Sequence, residues 1–287
     1  MLPPGYRGHR EVLTALRAAN GLELGHSVEQ TPILAGSFGP SESKRVSVVI
    51  GGLHAIEWIG VETALAIAQR LADAPPTDRR VYVVALANPD GYRRIETDLW
   101  AGRKKFRRGN SHGVDLNRNW PTAFLPRRKW LAGMNWPGPH PASEPETLSI
   151  LRLLDREVAR GATIDTALSL HSFGRKLLYP YGYRFGKPAR HAEMYERARR
   201  VRDRLVEPYT ISQVSRWLPG FLAAGMEIDD LHERYGACAL LVECAFGGGL
   251  TLDLDRWTTP FHWYNPRRPS QVAGDLARAL EPFVRGG

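Results

Sequence analysis

The stretch Val46-Ser-Val-Val-Ile-Gly-Gly-Leu53 decides the fold class, because it is an apolar run rich in β-branched residues. Such a run predicts a buried strand. Apolar residues at helical spacing follow over Ile59–Leu71, and Val81–Leu86 (VYVVAL) predicts a second buried strand. Strand, helix and strand within about 40 residues predict a βαβ unit, in which a right-handed crossover joins two parallel strands.

The rest of the chain continues the alternation of strands and helices. Further strands are predicted at Thr166–Leu170 and Ala237–Val242. Helices are predicted at Glu144–Val158, with Ser143 as its cap, at His191–Val206 and at Gln271–Val284. We therefore predict a single α/β domain over residues 1–287, with a twisted, mixed and mostly parallel sheet that helices cover on both faces.

The segment after the second strand has little periodicity. Asn88-Pro-Asp-Gly91 predicts a turn. Residues 92–143 are rich in Arg, Gly, Asn, Trp and Pro. Because long irregular segments in compact domains are typically functional, we expect residues 92–143 to contribute to a site.

Composition indicates the cellular environment. No apolar run reaches the roughly 18 residues that a membrane-spanning helix needs, and Met1–Gly8 lacks the apolar core of a secretory signal. Cys238 and Cys244 both fall in the segment Ala237–Ala245, and if this segment is extended as a strand their Cα atoms lie about 20 Å apart, too far for a disulfide. We therefore expect a cytoplasmic protein in a reducing compartment, with no membrane partner.

The net charge of +9 raises one alternative function, nucleic-acid binding. The densest basic run is Arg103-Lys-Lys-Phe-Arg-Arg108. Only Phe106 adds aromatic character to the run, and no nucleic-acid-binding module is recognisable. We expect no nucleic-acid partner, and the sequence carries no signal of oligomeric state.

Four residues of metal-binding or acid–base type follow the predicted strands. His54 and Glu57 come after the first strand, His171 follows the third, and Glu243 ends the fourth. Parallel strands bring their carboxyl ends to one edge of a sheet, where ligands bind. Imidazole and carboxylate are zinc ligands, and a catalytic zinc takes three of them and leaves a fourth position for water.

Each of these residues also has an ordinary explanation. H-x-x-E is a weak motif, a histidine after a buried strand is more often a hydrogen-bonded core residue, and Glu243 would fit a surface salt bridge. Their occurrence together at the ends of comparable strands favours a site. Glu243 adds to this, because a carboxylate within an apolar run is costly unless it is paired or has a function, and beside a metal it would be a general base. Asn117 and Arg118 offer adjacent donors for a carboxylate, although composition alone favours a polar turn there.

Six motifs make the sequence resemble the zinc metallocarboxypeptidases, the carboxypeptidase A-like peptidases. They lie in the family's order between about Val46 and Phe246. The motifs are GGLHAIEW (51–58), NPDGY (88–92), GVDLNRNW (113–120), SLHSF (169–173), YPYGY (179–183) and VEC (242–244). The resemblance implies a single α/β domain with one zinc ion held by His54, Glu57 and His171.

The resemblance also implies roles in catalysis and substrate binding. It implies that Glu243 is the general base and that Asn117 and Arg118 hold the terminal carboxylate of the substrate. The family's carbonyl-polarising arginine lies nine residues before the first Asn, which implies Arg108, with Arg107 as the alternative.

The sequence departs from the family pattern where substrate binds. Phe221 stands where the family usually has a mobile tyrosine, which removes one hydrogen bond to substrate. Ile56 replaces an arginine that digestive members carry between the first two ligands. Ile228 falls at the position that often sets the preference for the substrate side chain in digestive members. The resemblance therefore implies an apolar pocket floor, beside the acidic Glu227 and Asp229.

From these residues we expect a zinc-dependent carboxypeptidase that hydrolyses a C-terminal peptide or amide bond in a substrate with a free carboxylate. One alternative is a zinc deacylase or amidase that acts on N-acyl amino acids or cell-wall peptides. Another is a binding protein of the same fold that has lost catalysis, for which Phe221 offers slight support.

Overall fold

A single eight-stranded sheet forms the centre of the computed structural model, which describes residues 2–217, 220, 222–246 and 258–287. Its strands are β1 Leu22–His26, β2 Pro32–Phe38, β3 Arg45–Gly51, β4 Arg80–Val84, β5 Thr163–His171, β6 Lys176–Tyr179, β7 Thr210–Gln213 and β8 Cys238–Glu243. Their order across the sheet is β1-β2-β4-β3-β5-β8-β6-β7.

The middle of this sheet is parallel and its flanks contain the antiparallel pairs. β4, β3, β5 and β8 pair in parallel, whereas β2 joins β4, β1 joins β2 and β6 joins β8 in antiparallel fashion. Leu170 in β5 lies opposite Gly51 in β3 and Val242 in β8. The carboxyl ends of three neighbouring strands therefore meet at one edge of the sheet.

Helices cover both faces of the sheet. Those of nine or more residues are α1 His9–Ala18, α2 Trp58–Asp73, α3 Pro89–Trp100, α4 Pro145–Ala159, α5 His191–Arg202, α6 Glu227–Tyr235 and α7 Pro269–Val284. Single helical turns occur at Leu116–Arg118, Lys129–Ala132, Gly133–Asn135, Val214–Trp217 and Phe261–Tyr264. Apolar residues of α1, α2, α3, α5 and α7 pack in one core layer, and those of α4 and α6 pack in the other.

The central strands are mostly apolar because their residues alternate between these two layers. In β8, Leu240 belongs to the layer under α2, and the next residue, Leu241, belongs to the layer under α4. Val49 and Ile50 in β3 divide in the same way. A strand buried on both faces favours apolar or small side chains on both sides, which explains the nearly continuous apolar runs in the sequence.

The structure confirms the α/β fold with a mixed sheet and helices on both faces. It also confirms that Cys238 and Cys244 are free, and both are buried. Within the described ranges, no helix combines the length and apolar character that a bilayer crossing requires.

The prediction of a turn at Asn88–Gly91 is wrong, because this stretch begins α3. Asn88 caps the helix by accepting a 2.9 Å hydrogen bond from the Gly91 backbone N–H, and Pro89 occupies the first helical position. Residues 92–100, expected to be irregular, are therefore helical. The cap of α4 is Glu144 rather than Ser143.

Close packing of α2 against β5 sets the distance between the two segments that carry the predicted ligands. Gly60, in the first turn of α2, lies so near β5 that a Cβ atom built on it would be 2.7 Å from the backbone oxygen of Leu170. Leu170 directly precedes His171, and Glu57 directly precedes α2. Only a residue without a side chain allows this approach.

We predict that Gly60→Ala lowers the free energy of unfolding by about 1–3 kcal/mol, because the added methyl group overpacks this contact. Gly274→Ala in α7 is the matched control, since a Cβ atom there meets nothing within 4 Å and alanine favours the helix by about 0.5–1 kcal/mol. Chemical denaturation of both variants measures the difference. Equal stability of the two variants would contradict the packing argument.

Candidate metal centre

Three side chains from two strand ends converge at the edge of the sheet. His54 lies three residues beyond the end of β3, Glu57 is the N-cap of α2, and His171 is the last residue of β5. All three are buried, and one potential ligand atom from each lies within 4.8 Å of the others. The structure thus brings together the three residues predicted from the sequence to bind a metal.

The two imidazoles meet the carboxylate through the same ring atom. Nδ1 of His54 lies 2.8 Å from Oε1 of Glu57, and Nδ1 of His171 lies 3.0 Å from Oε2 of Glu57. The two Nδ1 atoms are 3.1 Å apart.

A buried carboxylate lies behind each imidazole. Nε2 of His54 is 3.0 Å from Oδ1 of Asp115, and Nε2 of His171 is 2.9 Å from Oε1 of Glu227. A carboxylate accepts an N–H, so these contacts place the ring protons on Nε2 and leave lone pairs on both Nδ1 atoms. Two lone pairs and the Glu57 carboxylate repel one another unless a proton or a metal ion lies between them. Two imidazole nitrogens and a carboxylate are a donor set that fits a divalent metal.

The local charges also favour a cation. Burial opposes a positive charge on His171, but Glu227 and Glu57 outweigh it and raise the pKa of His171 to about 10. Burial likewise opposes ionisation of Glu57, but the adjacent His54 and His171 hold the pKa of Glu57 well below its usual range.

The short segment that carries His54 and Glu57 is fixed by contacts on several sides. Trp58 stacks on Tyr92 with ring centroids 3.9 Å apart, and its indole N–H donates to the backbone oxygen of Ala55. The Asn265 side chain accepts from the backbone N–H of Ile59 and donates to a backbone oxygen in the same segment. These contacts hold the loop between β3 and α2 in one conformation.

Glu243 lies beside the three predicted ligands. It is the last residue of β8, it pairs in register with His171, and it is only 8% exposed. Among the described residues its Oε2 atom has no hydrogen-bond partner. Burial and the neighbouring Glu57 raise the pKa of Glu243 to about 8, and a cation at the adjacent ligands would act in the opposite direction.

The structure distinguishes the two candidate arginines. The backbone oxygen of Arg108 accepts a 2.9 Å hydrogen bond from the Ala55 N–H, and its guanidinium lies 2.8 Å from Asp115 and 3.6 Å from Glu57. Arg107 instead turns outward to Asp98. Although burial opposes it, the charges of Asp115 and Glu57 raise the pKa of Arg108 above its usual range.

Asn117 and Arg118 sit in a helical turn that Asp115 caps. The Asp115 carboxylate accepts a 3.0 Å hydrogen bond from the Asn117 backbone N–H. Arg118 lines the same cavity as the predicted ligands, and one of its guanidinium nitrogens donates to the backbone oxygen of Asn117. Gly225 makes room for this turn, because a Cβ atom there would be 2.3 Å from the Arg118 backbone oxygen.

The cavity in front of these groups has a volume of about 370 Å³ and one apolar wall. The wall is formed by Leu178, Val214, Trp217, Ala223, Met226 and Leu241. Ile228, the expected pocket floor, is instead fully buried in the core layer under α4. Because α6 begins at Glu227, the neighbouring Met226 faces the cavity in its place. Phe221, the other predicted substrate contact, lies outside the described residues.

Sequence reasoning missed three residues of the centre. Asp115 lies in the GVDLNRNW motif, but the sequence alone assigns it no role. The available signal is a carboxylate two residues before Asn117. Glu227 was noted only as an acidic neighbour of Ile228. Tyr264, which lines the cavity and packs its ring against Phe173, had no local signal.

Comparison with known proteins identifies the family to which most of this chain is similar. A family model described as zinc carboxypeptidase matches residues 17–226. Carboxypeptidase A2 of Rattus norvegicus is 28% identical over 250 residues, which are 80% of this chain and 58% of that protein. The chain spans about half the length of the curated relatives it matches.

Solved structures share the fold at lower identity. Carboxypeptidase A from Helicoverpa armigera superposes with a TM-score of 0.77 at 18% identity, over 98% of this chain and 74% of that one. The murein-tripeptide amidase from Escherichia coli O157 gives a TM-score of 0.51 at 20% identity, over 86% of this chain and 91% of that one. These likenesses concern the fold.

We predict that the purified protein holds about one zinc ion per chain by elemental analysis, since catalytic sites of this donor type take one. Glu57→Ala and His171→Ala should lose it, whereas His26→Ala, which changes an exposed histidine of β1, should keep it. Free zinc at a concentration of about 1,000 times the Kd of the site should raise the free energy of unfolding of the wild-type protein by about 4 kcal/mol. A melting temperature that zinc and chelators leave unchanged would contradict the site.

Proposed function

The chain belongs to the zinc carboxypeptidase family, and from this membership we propose that it is a zinc-dependent carboxypeptidase, which hydrolyses the last peptide bond of substrates with a free carboxylate. His54, Glu57 and His171 hold the ion in this proposal. The observation that carries it is the convergence of three buried electron-pair donors beside Glu243, a buried carboxylate with an unpartnered oxygen.

Glu243 is the proposed general base. When bound, a zinc ion at these ligands would lower the pKa of a coordinated water to about 7 and polarise the substrate carbonyl. The Glu243 carboxylate takes the proton from the attacking water and then gives it to the leaving amine. Its unpartnered Oε2 atom supports this role, because no described residue competes for that oxygen.

Arg108 is the proposed stabiliser of the negative charge that develops on the carbonyl oxygen. Its guanidinium is fixed by the charge-assisted hydrogen bond to Asp115 and is 18% exposed, so it lies at the wall of the cavity. A donor held in place before the reaction needs no reorganisation when the charge forms, which is why such donors accelerate acyl transfer.

The carboxylate clamp and the apolar wall define the proposed substrate. Arg118 and Asn117 bind the terminal carboxylate, since a guanidinium matches both of its oxygens. The side chain of the final residue then meets the wall that includes Met226, Trp217 and Leu241. We therefore propose a preference for large apolar residues at the C-terminus of the substrate.

We predict that Glu243→Gln keeps zinc but lowers kcat by about 10²–10⁴-fold, because the amide cannot accept the proton. Metal content and peptide hydrolysis are measured on the same preparation. Glu42→Gln changes an exposed glutamate that is distant from Glu243 in the sequence, and it should leave metal content and hydrolysis unchanged. Full activity of Glu243→Gln would exclude this mechanism, and an inactive wild-type protein with bound zinc would favour the binding-protein alternative.

A second candidate is hydrolysis of an amide bond in a cell-wall peptide or an N-acyl amino acid. The name of the structurally similar Escherichia coli protein states an amidase activity for that protein. Both candidates use the same ligands and base, so the substrate distinguishes them. Parallel assays with free-carboxylate peptides, their C-terminal amides, a murein tripeptide and N-acyl amino acids measure the preference.

We predict that Arg118→Ala lowers kcat/KM for free-carboxylate peptides by about 10–100-fold, from the loss of hydrogen bonds to a charged group, while slow hydrolysis of the peptide amides is unchanged. Arg107→Ala removes the same charge from a side chain that turns away to Asp98, and it should have little effect. Equal losses on peptides and their amides would contradict the proposed clamp.

A further inference from the structure

Glu227 is a buried carboxylate to which the family resemblance gives no role. It is the first residue of α6 and is 0% exposed. Its Oε1 atom accepts a 2.6 Å hydrogen bond from the Ser169 hydroxyl and lies 2.9 Å from Nε2 of His171. Its backbone N–H donates to the Asn117 side chain at 3.3 Å.

No described arginine or lysine forms an ion pair with Glu227, and its Oε2 atom has no hydrogen-bond partner among the described residues. This arrangement differs from that of Asp115, the other carboxylate behind a ligand, which also contacts Arg108. A buried carboxylate without a cationic partner is costly. The ion pair that the structure does give Glu227 is with His171, so its charge acts on the metal centre through that ring.

We propose that Glu227 is a positioning residue of the metal centre, which holds His171 with its proton on Nε2 and its Nδ1 lone pair directed at the ion. The inference rests on the proposed metal site. Carboxylates behind metal-bound histidines fix the ring and increase its basicity. Through its backbone contact with Asn117, Glu227 also links this ligand to the proposed clamp for the substrate carboxylate.

Two substitutions separate the orienting contact from the charge. Glu227→Ala removes both, and we expect its zinc Kd to rise by about 10–100-fold. Glu227→Gln keeps the volume and an acceptor oxygen but loses the charge, and we expect its zinc Kd to rise by about 5-fold. Competition with a chromophoric chelator measures Kd, and the visible spectrum of the cobalt(II)-substituted protein reports the ligand geometry, which we expect to change in Glu227→Ala.

Asp229→Asn is the matched control, because it changes another buried carboxylate of the same helix. Both carboxylate oxygens of Asp229 lie 3.0 Å from the backbone nitrogen of Gly182, whose N–H they accept, and among the described residues Asp229 forms no hydrogen bond or ion pair with the three predicted ligands. Its substitution therefore reports the effect of losing a buried carboxylate from α6 without touching the metal centre. We expect this variant to lose folding stability while its zinc Kd and cobalt spectrum stay at the wild-type values.

The outcomes separate this inference from the proposed function. Wild-type zinc affinity and an unchanged cobalt spectrum in both Glu227 variants would overturn the inference alone. A wild-type protein that binds no zinc would overturn the proposed function and the inference with it. If Glu227→Ala does not fold, Glu227→Gln decides the question, because it preserves the shape of the core.

Discussion

Three electron-pair donors face one point at the edge of the sheet, and the rest of the structure depends on holding them there. The Nδ1 atoms of His54 and His171 and the carboxylate of Glu57 lie within hydrogen-bond distance of one another, although the ring protons are directed to Asp115 and Glu227. Such an arrangement is repulsive unless a proton or a metal ion lies between the donors, so the surrounding protein must be rigid enough to maintain it.

That rigidity comes from the sheet and from the helix that follows the first ligands. Parallel pairing of β3, β5 and β8 aligns the strand ends, and close contact at Gly60 brings the start of α2 against the residue before His171. Trp58 and Asn265 then fix the loop between β3 and α2. The three predicted ligands are therefore buried and held by contacts on several sides.

Charge has different roles at the surface and in this centre. In the basic run, Arg103 and Arg107 both pair with Asp98, and only Arg108 turns inward to Asp115. Two buried carboxylates therefore offset part of the positive charge of this run, within a chain of net charge +9. Inside the centre, carboxylates have the proposed roles in positioning and proton transfer, and the cavity also has an apolar lining.

The sequence alone determined the central strands and the residues at their ends, because strands buried on both faces leave unbroken apolar runs and polar side chains at their termini stand out. It did not predict β1, which is mostly exposed, β6 and β7, which have four residues each, or β2, a seven-residue strand that is almost fully buried. Asn88–Gly91 has the local chemistry of both a turn and a helix cap, and the continuation as α3 decides between them. Likewise, only the start of α6 at Glu227 makes Met226 face the cavity, buries Ile228 and turns Glu227 to His171. Local sequence fixes which chemical groups are available, but contacts between distant segments decide which of several neighbouring side chains points inward.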